Sequence, residues 1–237
     1  MSNRISLVVP AFNEAPRVGP VLRCATESGL FSKIVVIDDG STDKTAATVG
    51  EYPVQLIRHG RNLGKGAALQ TGVHALRDPD VVVFLDADLT GLTPGHLESL
   101  IEPAIAEPEM GMVTAQFVEG RWIVDTQQRW FAILNGQRAL TRRFLKILPD
   151  MSWSRFGVEV LMTRLARDLE IPVRSVLWSG ISHYTKEEKY GLLRGFGARL
   201  NMYWEALLAY KVYAPRVAGH LKALEDAGIT EEGELSS

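Results

Sequence analysis

Short apolar runs alternate with segments of helical periodicity along the first half of the chain. Five runs have the length and composition of strands, at residues 5–9, 33–38, 54–58, 81–86 and 112–115. Helical segments separate them at residues 14–29, 44–51 and 64–77, and Thr93 followed by Pro94 predicts the start of a fourth helix. We expect Asn13 to cap the first helix. Strands that alternate with helices assemble into parallel sheets, so the pattern predicts an α/β chain with a doubly wound, mainly parallel sheet.

The second half of the chain is less regular. Its periodicity predicts helices at residues 130–148, 159–168 and 190–213, and a strand at residues 173–178. We therefore expect an α/β domain over residues 1–188. Residues 189–237 then form a helical C-terminal extension, with its tail, of that same domain.

The predicted helix at residues 190–213 carries an apolar stripe. Its members are Leu193, Phe196, Leu200, Tyr203, Trp204, Leu207 and Leu208, with Lys189, Arg194, Arg199 and Lys211 among or beside them. Two interpretations stay open. The stripe packs on the core or on a second copy of the chain in a homo-oligomer, or it lies on an anionic bilayer as a peripheral contact.

Composition narrows the class of protein. The chain has 237 residues, 46% of them hydrophobic and 23% charged, which is typical of a globular protein. The net charge of −2 gives no broad basic field for nucleic acid, and the single cysteine rules out a disulfide within the chain. No secretion signal precedes the first predicted strand, and no apolar run approaches the ~20 residues of a membrane span. We expect a cytoplasmic protein, or one held peripherally at the inner face of the membrane.

Two aspartates follow the most apolar of the predicted strands. The run Val81-Val82-Val83-Phe84-Leu85 leads directly into Asp86 and, two residues on, Asp88. Side chains two apart on a strand leave it on the same side, and open α/β sheets bind ligands at the carboxyl ends of their strands. Carboxylate oxygens suit Mg2+ or Mn2+ that bridges to substrate phosphates. The pair therefore predicts a metal site, with a simple acidic turn as the alternative.

Three further motifs fall at the same predicted edge. They are Val9-Pro10-Ala11-Phe12-Asn13-Glu14, Asp38-Asp39-Gly40-Ser41-Thr42-Asp43 and Arg61-Asn62-Leu63-Gly64-Lys65-Gly66. The third opens a helix, whose free N–H groups and positive dipole end favour phosphate. It is neither a P-loop, because no Gly-Lys-Ser/Thr has the required spacing, nor a dinucleotide fingerprint, because position 69 is Leu. Acids for a ribose and base, a cationic loop and a metal-binding pair of aspartates together suit a nucleotide diphosphate that carries a leaving group.

The four motifs together resemble family-two glycosyltransferases of GT-A fold over residues 5 to 100, most closely the dolichyl- or polyprenyl-phosphate hexosyltransferases. The resemblance implies a metal-dependent, inverting transfer of a hexose from a UDP- or GDP-linked sugar, with polyprenyl phosphate as a possible acceptor and Mn2+ or Mg2+ as cofactor. Residues 1–188 would then be the nucleotide-sugar-binding catalytic domain. The implied donor-binding residues are Pro10, Ala11, Asn13, Glu14, Asp39, Lys65, Asp86 and Ala87, and the implied metal ligands are Asp86 and Asp88.

The candidate catalytic groups are Asp88 and Glu159. Glu159 lies in a segment similar, in a different residue order, to the Gly-Phe-x-x-Glu of those enzymes. A hydroxyl acceptor needs a general base, for which Glu159 and Asp150 are the candidates, whereas a lipid phosphate is already anionic and needs none. His183 is a candidate metal or phosphate ligand, and an ordinary surface histidine is the alternative.

Three other functions stay open on the sequence. The first is a glycosyltransferase with a soluble hydroxyl acceptor. The second is a sugar nucleotidyltransferase, which usually has a basic glycine-rich loop directly after the first strand, where this chain has Pro10-Ala11-Phe12-Asn13-Glu14. The third is a non-catalytic nucleotide-binding module, and the intact pair Asp86 and Asp88 argues against it.

Overall fold

The computed structural model describes residues 3–107, 109–118, 136–183 and 192–226. Within these residues, seven strands form one sheet in the spatial order β3-β2-β1-β4-β7-β6-β8. The strands are β1 (Ile5–Ala11), β2 (Lys33–Asp38), β3 (Gln55–Arg58), β4 (Val81–Phe84), β6 (Met112–Val118), β7 (Arg138–Thr141) and β8 (Val173–Ser179). β7 runs antiparallel to both neighbours, and the other described pairs in this sheet are parallel. Two short strands, β5 (Leu89–Thr90) and β9 (Ser182–His183), form a separate antiparallel pair.

Helices cover both faces of the sheet. One core joins the sheet to α1 (Val18–Glu27), α2 (Thr45–Val49) and α4 (Pro94–Ala106). The other joins it to α3 (Lys65–His74), α5 (Arg142–Ile147), α6 (Val158–Asp168) and α7 (Leu192–Asp226), and a 3-10 helix, Ser152–Gly157, leads directly into α6. Strand side chains alternate between the two cores, with Leu7 and Val9 in one and Val8 in the other. The doubly wound, mainly parallel sheet is therefore confirmed.

The helix predicted over residues 130–148 is wrong in its central part. Residues 138–141 form strand β7, and the helix that follows runs only from Arg142 to Ile147. All four residues of β7 are buried between β4 and β6, so pairing within the sheet overrides a locally helical pattern. Residues 130–135 lie outside the described part of the chain.

Two boundaries near the first strand also differ from the prediction. β1 continues through Pro10 to Ala11. β4 ends at Phe84, opposite Val8, so no described strand requires an N–H from Pro10. The first helix begins at Val18, and Asn13 does not cap it. Asn13 instead adopts a φ of 57°.

The C-terminal helix is longer than predicted, and its buried face is a different one. α7 continues past Tyr213 to Asp226, and its core side chains are Ala206, Ala209, Tyr213, Val217 and Leu224. Trp204, Leu207 and Leu208 of the predicted stripe are 57%, 45% and 40% exposed in the described structure. The side chains of the stripe residues before Trp204 lie outside the described part. Among the described helices, none combines the length and hydropathy needed to cross a bilayer.

Candidate active site

The predicted site residues meet at one edge of the sheet. Val8 of β1 is paired with Phe84 of β4, and Phe84 is paired with Arg138 of β7. Because β7 is antiparallel, its amino-terminal end lies where the parallel strands have their carboxyl ends. The segments after β1, β2 and β4 and the segment before β7 therefore converge at the position where open α/β sheets bind ligands.

A lysine held between two carboxylates forms the centre of this edge. Lys65 Nζ, from the first residue of α3, lies 2.6 Å from Asp86 Oδ1 and 2.5 Å from Glu159 Oε1. All three side chains are largely buried, with exposed fractions of 13%, 20% and 5%. Burial alone lowers the pKa of Lys65, but the two carboxylates outweigh that effect and raise the pKa above its ordinary value. Lys65 is therefore a permanent cation that joins the end of β4 to the start of α6.

Two residues where β7 begins, Gln137 and Arg138, complete this cluster, and the sequence predictions missed them. Gln137 donates a hydrogen bond from Nε2 to Asp86 Oδ2 at 3.0 Å. Arg138 is fully buried and donates to Thr163 Oγ1 at 2.9 Å. Burial lowers the pKa of Arg138 to about 10, and the nearby carboxylates of Glu159 and Asp86 limit that decrease. Gln137 and Arg138 were missed because the sequence pattern predicted a helix over residues 130–148, and a helix there would lie away from the sheet edge. The strand β7 is what brings them to the site.

Gly136 leaves room for the ion pairs. A Cβ atom at this position would lie 2.5 Å from Lys65 Nζ and 2.6 Å from Asp86 Oδ2. The backbone of the segment before β7 therefore rests directly on the Lys65–Asp86 contact, and a side chain here would force the two charged groups apart.

Asp39 holds the glycine loop that presents Lys65. Its carboxylate accepts hydrogen bonds from the backbone N–H groups of Leu63 and Gly64, at 3.0 and 2.8 Å, and lies 2.7 Å from His59 Nδ1. Gly64 has a φ of 99°, which favours glycine. Asp39 thus has a structural role in holding the loop. A contact of Asp39 with a base or ribose stays a prediction.

The segment after β1 is tied to the segment after β2. The backbone N–H of Asn13 donates to Ser41 Oγ at 2.9 Å, and Asn13 Oδ1 accepts the N–H of Thr42 at 2.9 Å. The N–H of Glu14 donates to Thr45 Oγ1 at 2.8 Å, and the Glu14 carboxylate pairs with Arg17. These bonds fix the wall on which a nucleoside is expected to lie.

The other residues predicted to bind the sugar donor are Pro10, Ala11 and Ala87, which can offer only backbone polar groups. Ala11 and Ala87 are buried, and Pro10 is partly buried. The carbonyl oxygen of Ala11 accepts the N–H of Asp39 at 2.8 Å, which joins the ends of β1 and β2. Their part in donor binding stays a prediction.

The two predicted metal ligands, Asp86 and Asp88, follow the end of β4. Asp86 and Asp88 supply carboxylate oxygens, the ligands that Mg2+ and Mn2+ prefer. Directly after Asp88, Leu89 of β5 pairs with His183 of β9, so the backbone of His183 reaches the same corner. Its side chain lies outside the described part, and no cluster of three or more acidic, histidine or cysteine ligands occurs among the described residues. The residues fit a divalent cation that also takes ligands from its substrate.

The two candidates for a general base differ sharply. Glu159 lies in the first turn of α6, buried and paired with Lys65. Asp150 accepts hydrogen bonds from the N–H and hydroxyl of Ser152, both at 2.9 Å. Its carboxylate is therefore bound to the first residue of the 3-10 helix. Of the two, Glu159 is the one in the cluster.

Comparison with known proteins gives a consistent result. The family model described as Glycosyl transferase family 2 matches residues 6–159. A dolichyl-phosphate beta-glucosyltransferase of Trichomonas vaginalis is 37% identical over 97 residues, which cover 35% of this chain and 28% of that protein. The 4,4'-diaponeurosporenoate glycosyltransferase of Staphylococcus aureus is 30% identical over 118 residues, which cover 47% and 31%. The matches thus span less than half the length of these curated relatives.

Among solved structures, glucosyl-3-phosphoglycerate synthase from Mycobacterium tuberculosis, in complex with Mn2+ and UDP-glucose, has a similar fold. The TM-score is 0.69 at 24% sequence identity, and the alignment covers 88% of this chain and 79% of that one. At this level of identity the likeness establishes the fold, the GT-A arrangement of a doubly wound sheet.

The close approach of Gly136 to the ion pairs generates a test. We expect Gly136→Ala to expose Lys65 to amine-acylating reagents, about tenfold faster than in the wild type, because the new methyl group parts Lys65 from Asp86. The free energy of unfolding should fall by only about 1–3 kcal/mol, since the displaced atoms are the ends of flexible side chains. Peptide mapping by mass spectrometry and denaturant titration measure the two effects.

Gly60→Ala is the matched control, because a Cβ at Gly60 meets no described atom within 4 Å. Unchanged labelling of Lys65 in Gly136→Ala would contradict the packing described above.

Proposed function

The chain belongs to glycosyl transferase family 2, and on that premise we propose that it transfers a hexose from a UDP- or GDP-linked sugar to a polyprenyl phosphate, with inversion and with Mn2+ or Mg2+. The observation that carries the proposal is the buried bridge from Asp86 through Lys65 to Glu159 at the ligand-binding edge of the sheet. The dolichyl-phosphate relative supports the acceptor, and the complex of the structural neighbour with Mn2+ and UDP-glucose supports the donor and the metal.

The nucleoside lies on the wall formed by the segments after β1 and β2 in this proposal. Glu14 and Asp39 are the acids there, and Pro10 and Ala11 provide the adjoining backbone. Asp39 is already bonded to Leu63 and Gly64. A nucleoside on this wall would therefore contact the same element that holds the glycine loop and Lys65, which links donor binding to the placement of the cation.

Charge balance supports a metal–diphosphate unit beside this cluster. Lys65 and Arg138 offset Asp86 and Glu159, so the four buried groups sum to zero. A divalent cation with the two negative charges of a nucleotide diphosphate sugar is also close to neutral, so its binding adds no large uncompensated charge. Asp86 and Asp88 would hold the metal, which would act as a Lewis acid on the departing diphosphate.

Lys65 has a separate task in the reaction. The diphosphate gains negative charge as its bond to the anomeric carbon breaks. Lys65 is already charged, desolvated and fixed by two carboxylates, so it stabilises that charge without reorganisation. Gln137 restrains the second oxygen of Asp86. The cluster therefore positions and stabilises the leaving group rather than attacking the sugar.

The position of Glu159 favours an acceptor that is already anionic. A general base must direct its carboxylate to the acceptor hydroxyl, whereas Glu159 Oε1 is bound to Lys65. A phosphate oxygen attacks without proton removal, so this acceptor leaves Glu159 in its bridging role. A soluble hydroxyl acceptor, with Glu159 as the base, is the competing outcome of the tests below.

The metal site gives the first test of this function. Asp88→Asn should reduce hexose transfer by about a hundredfold or more, because it removes a charged ligand at the diphosphate. The unfolding midpoint should stay close to that of the wild type. Glu98→Gln, an exposed carboxylate on α4, is the control of equal charge change. Full activity of Asp88→Asn, or of the wild type in excess EDTA, would exclude the metal role.

The exposed face of α7 gives the second test, since we propose that it holds the protein peripherally at the inner face of the membrane. Trp204, Leu208 and Lys211 are exposed and share one side of the helix. We expect sedimentation with anionic vesicles, weaker at high salt, and a loss of about tenfold in Trp204→Ser. Tyr210→Ser is the control, because Tyr210 is similarly exposed but its ring is stacked on Arg164.

Protein that stays in the supernatant at every salt concentration, together with no transfer to polyprenyl phosphate, would exclude the lipid acceptor. Transfer to a soluble hydroxyl compound in the same assay would then support the competing function.

A further inference from the structure

The 3-10 helix Ser152–Gly157 lies between the start of α3, which carries Lys65, and the C-terminal helix α7. On one side, a Cβ at Gly66 of α3 would overlap Met151 O and Ser154 Oγ. On the other side, a Cβ at Gly157 would overlap Ala209 Cβ of α7. The segment therefore packs directly against both helices.

Both ends of the bridge around Lys65 depend on this segment. Glu159 follows Gly157 by two residues, in the first turn of α6. Lys65 lies between Gly64 and Gly66, and a Cβ at Gly64 would lie 3.1 Å from Arg155 Cγ. The position of the 3-10 helix thus fixes the separation between the start of α3 and the start of α6, which Lys65 spans.

Arg155 has a backbone conformation that arginine rarely adopts. Its φ of 49° and ψ of −121° lie close to the first central position of a type II′ turn, where glycine dominates. Strained residues of this kind persist where the surroundings over-determine them, and they cluster at functional sites.

The surroundings that hold Arg155 come from α7. The Arg155 Nε–H donates to Glu205 Oε1 at 3.0 Å, and the N–H of Phe156 lies 3.4 Å from Glu205 Oε2. The Glu205 side chain is 13% exposed, against 46% for Arg155. A single carboxylate on α7 therefore binds both the strained residue and the residue after it.

We propose that Glu205 is a positioning residue, through which α7 holds the strained backbone at Arg155 and so fixes Lys65 and Glu159 for transfer. This inference rests on the proposed function, because it takes the bridge of Lys65 as the centre of catalysis. Glu205 itself does not need to contact the substrate. The C-terminal helix is, on this account, a working part of the site.

The test combines a loss with a rescue. Glu205→Gln should lower kcat for transfer about tenfold with little change in KM for the donor, because the nucleoside wall is formed by the segments after β1 and β2, away from the 3-10 helix. Glycine adopts positive φ without strain, so Arg155→Gly removes the need for the clamp. We expect Arg155→Gly to keep at least about a third of the wild-type rate, and Glu205→Gln to cost less than about twofold in that background.

Arg164→Met is the matched control, since Arg164 of α6 also binds α7, through Tyr210 O at 2.9 Å, but on a path that does not include the 3-10 helix. It should leave kcat within about twofold of the wild type at equal or greater loss of stability. An equal loss of kcat in Arg164→Met and Glu205→Gln would overturn the proposal. So would an inactive Arg155→Gly, or a full tenfold effect of Glu205→Gln in the glycine background.

Hydrogen exchange separates this proposal from the proposed function. Glu205→Gln should speed exchange of backbone amides in residues 61–68 and 151–160, and Arg164→Met should not. If the wild type transfers no sugar but the two variants show this exchange pattern, the proposed function fails and the mechanical coupling stands. Unchanged exchange in both segments would overturn the coupling itself.

Discussion

The buried ammonium group of Lys65 is the constraint on which the site depends. It joins Asp86 after β4 to Glu159 of α6, at 2.6 and 2.5 Å, and so ties the two halves of the chain together. Removing one partner from such a cluster leaves an uncompensated buried charge, which costs far more than an exposed pair is worth. Several neighbouring features serve this contact: Asp39 holds the loop before Lys65, Gly136 leaves space above it, and Gln137 restrains Asp86.

The antiparallel strand β7 explains how a doubly wound sheet builds this cluster. Parallel strands bring only their carboxyl ends to the ligand-binding edge. β7 brings its amino-terminal end to that edge, and with it the buried Arg138 that faces the same carboxylates. The site therefore combines Lys65 and Asp86 from the first half of the chain with Gln137, Arg138 and Glu159 from the second.

The sequence predicted the first half of the fold well and the second half poorly, for a physical reason. The apolar runs of β1, β2 and β4 and the acids behind them are local signals, and they led directly to Asp39, Asp86 and Asp88. β7 is a strand only because β4 and β6 enclose it, so its helical pattern was misleading and Gln137 and Arg138 were missed. The strain at Arg155 and its contact with Glu205 depend on tertiary packing and have no local signal at all.

A crystal structure with a nucleoside diphosphate and Mn2+ tests the central claim most directly. The account predicts that the diphosphate lies at the end of β4, with the metal bound by Asp86 and Asp88 and with Lys65 Nζ about 3 Å from a phosphate oxygen. A diphosphate bound elsewhere on the molecule, or one at this edge that makes no contact with Lys65, would contradict it.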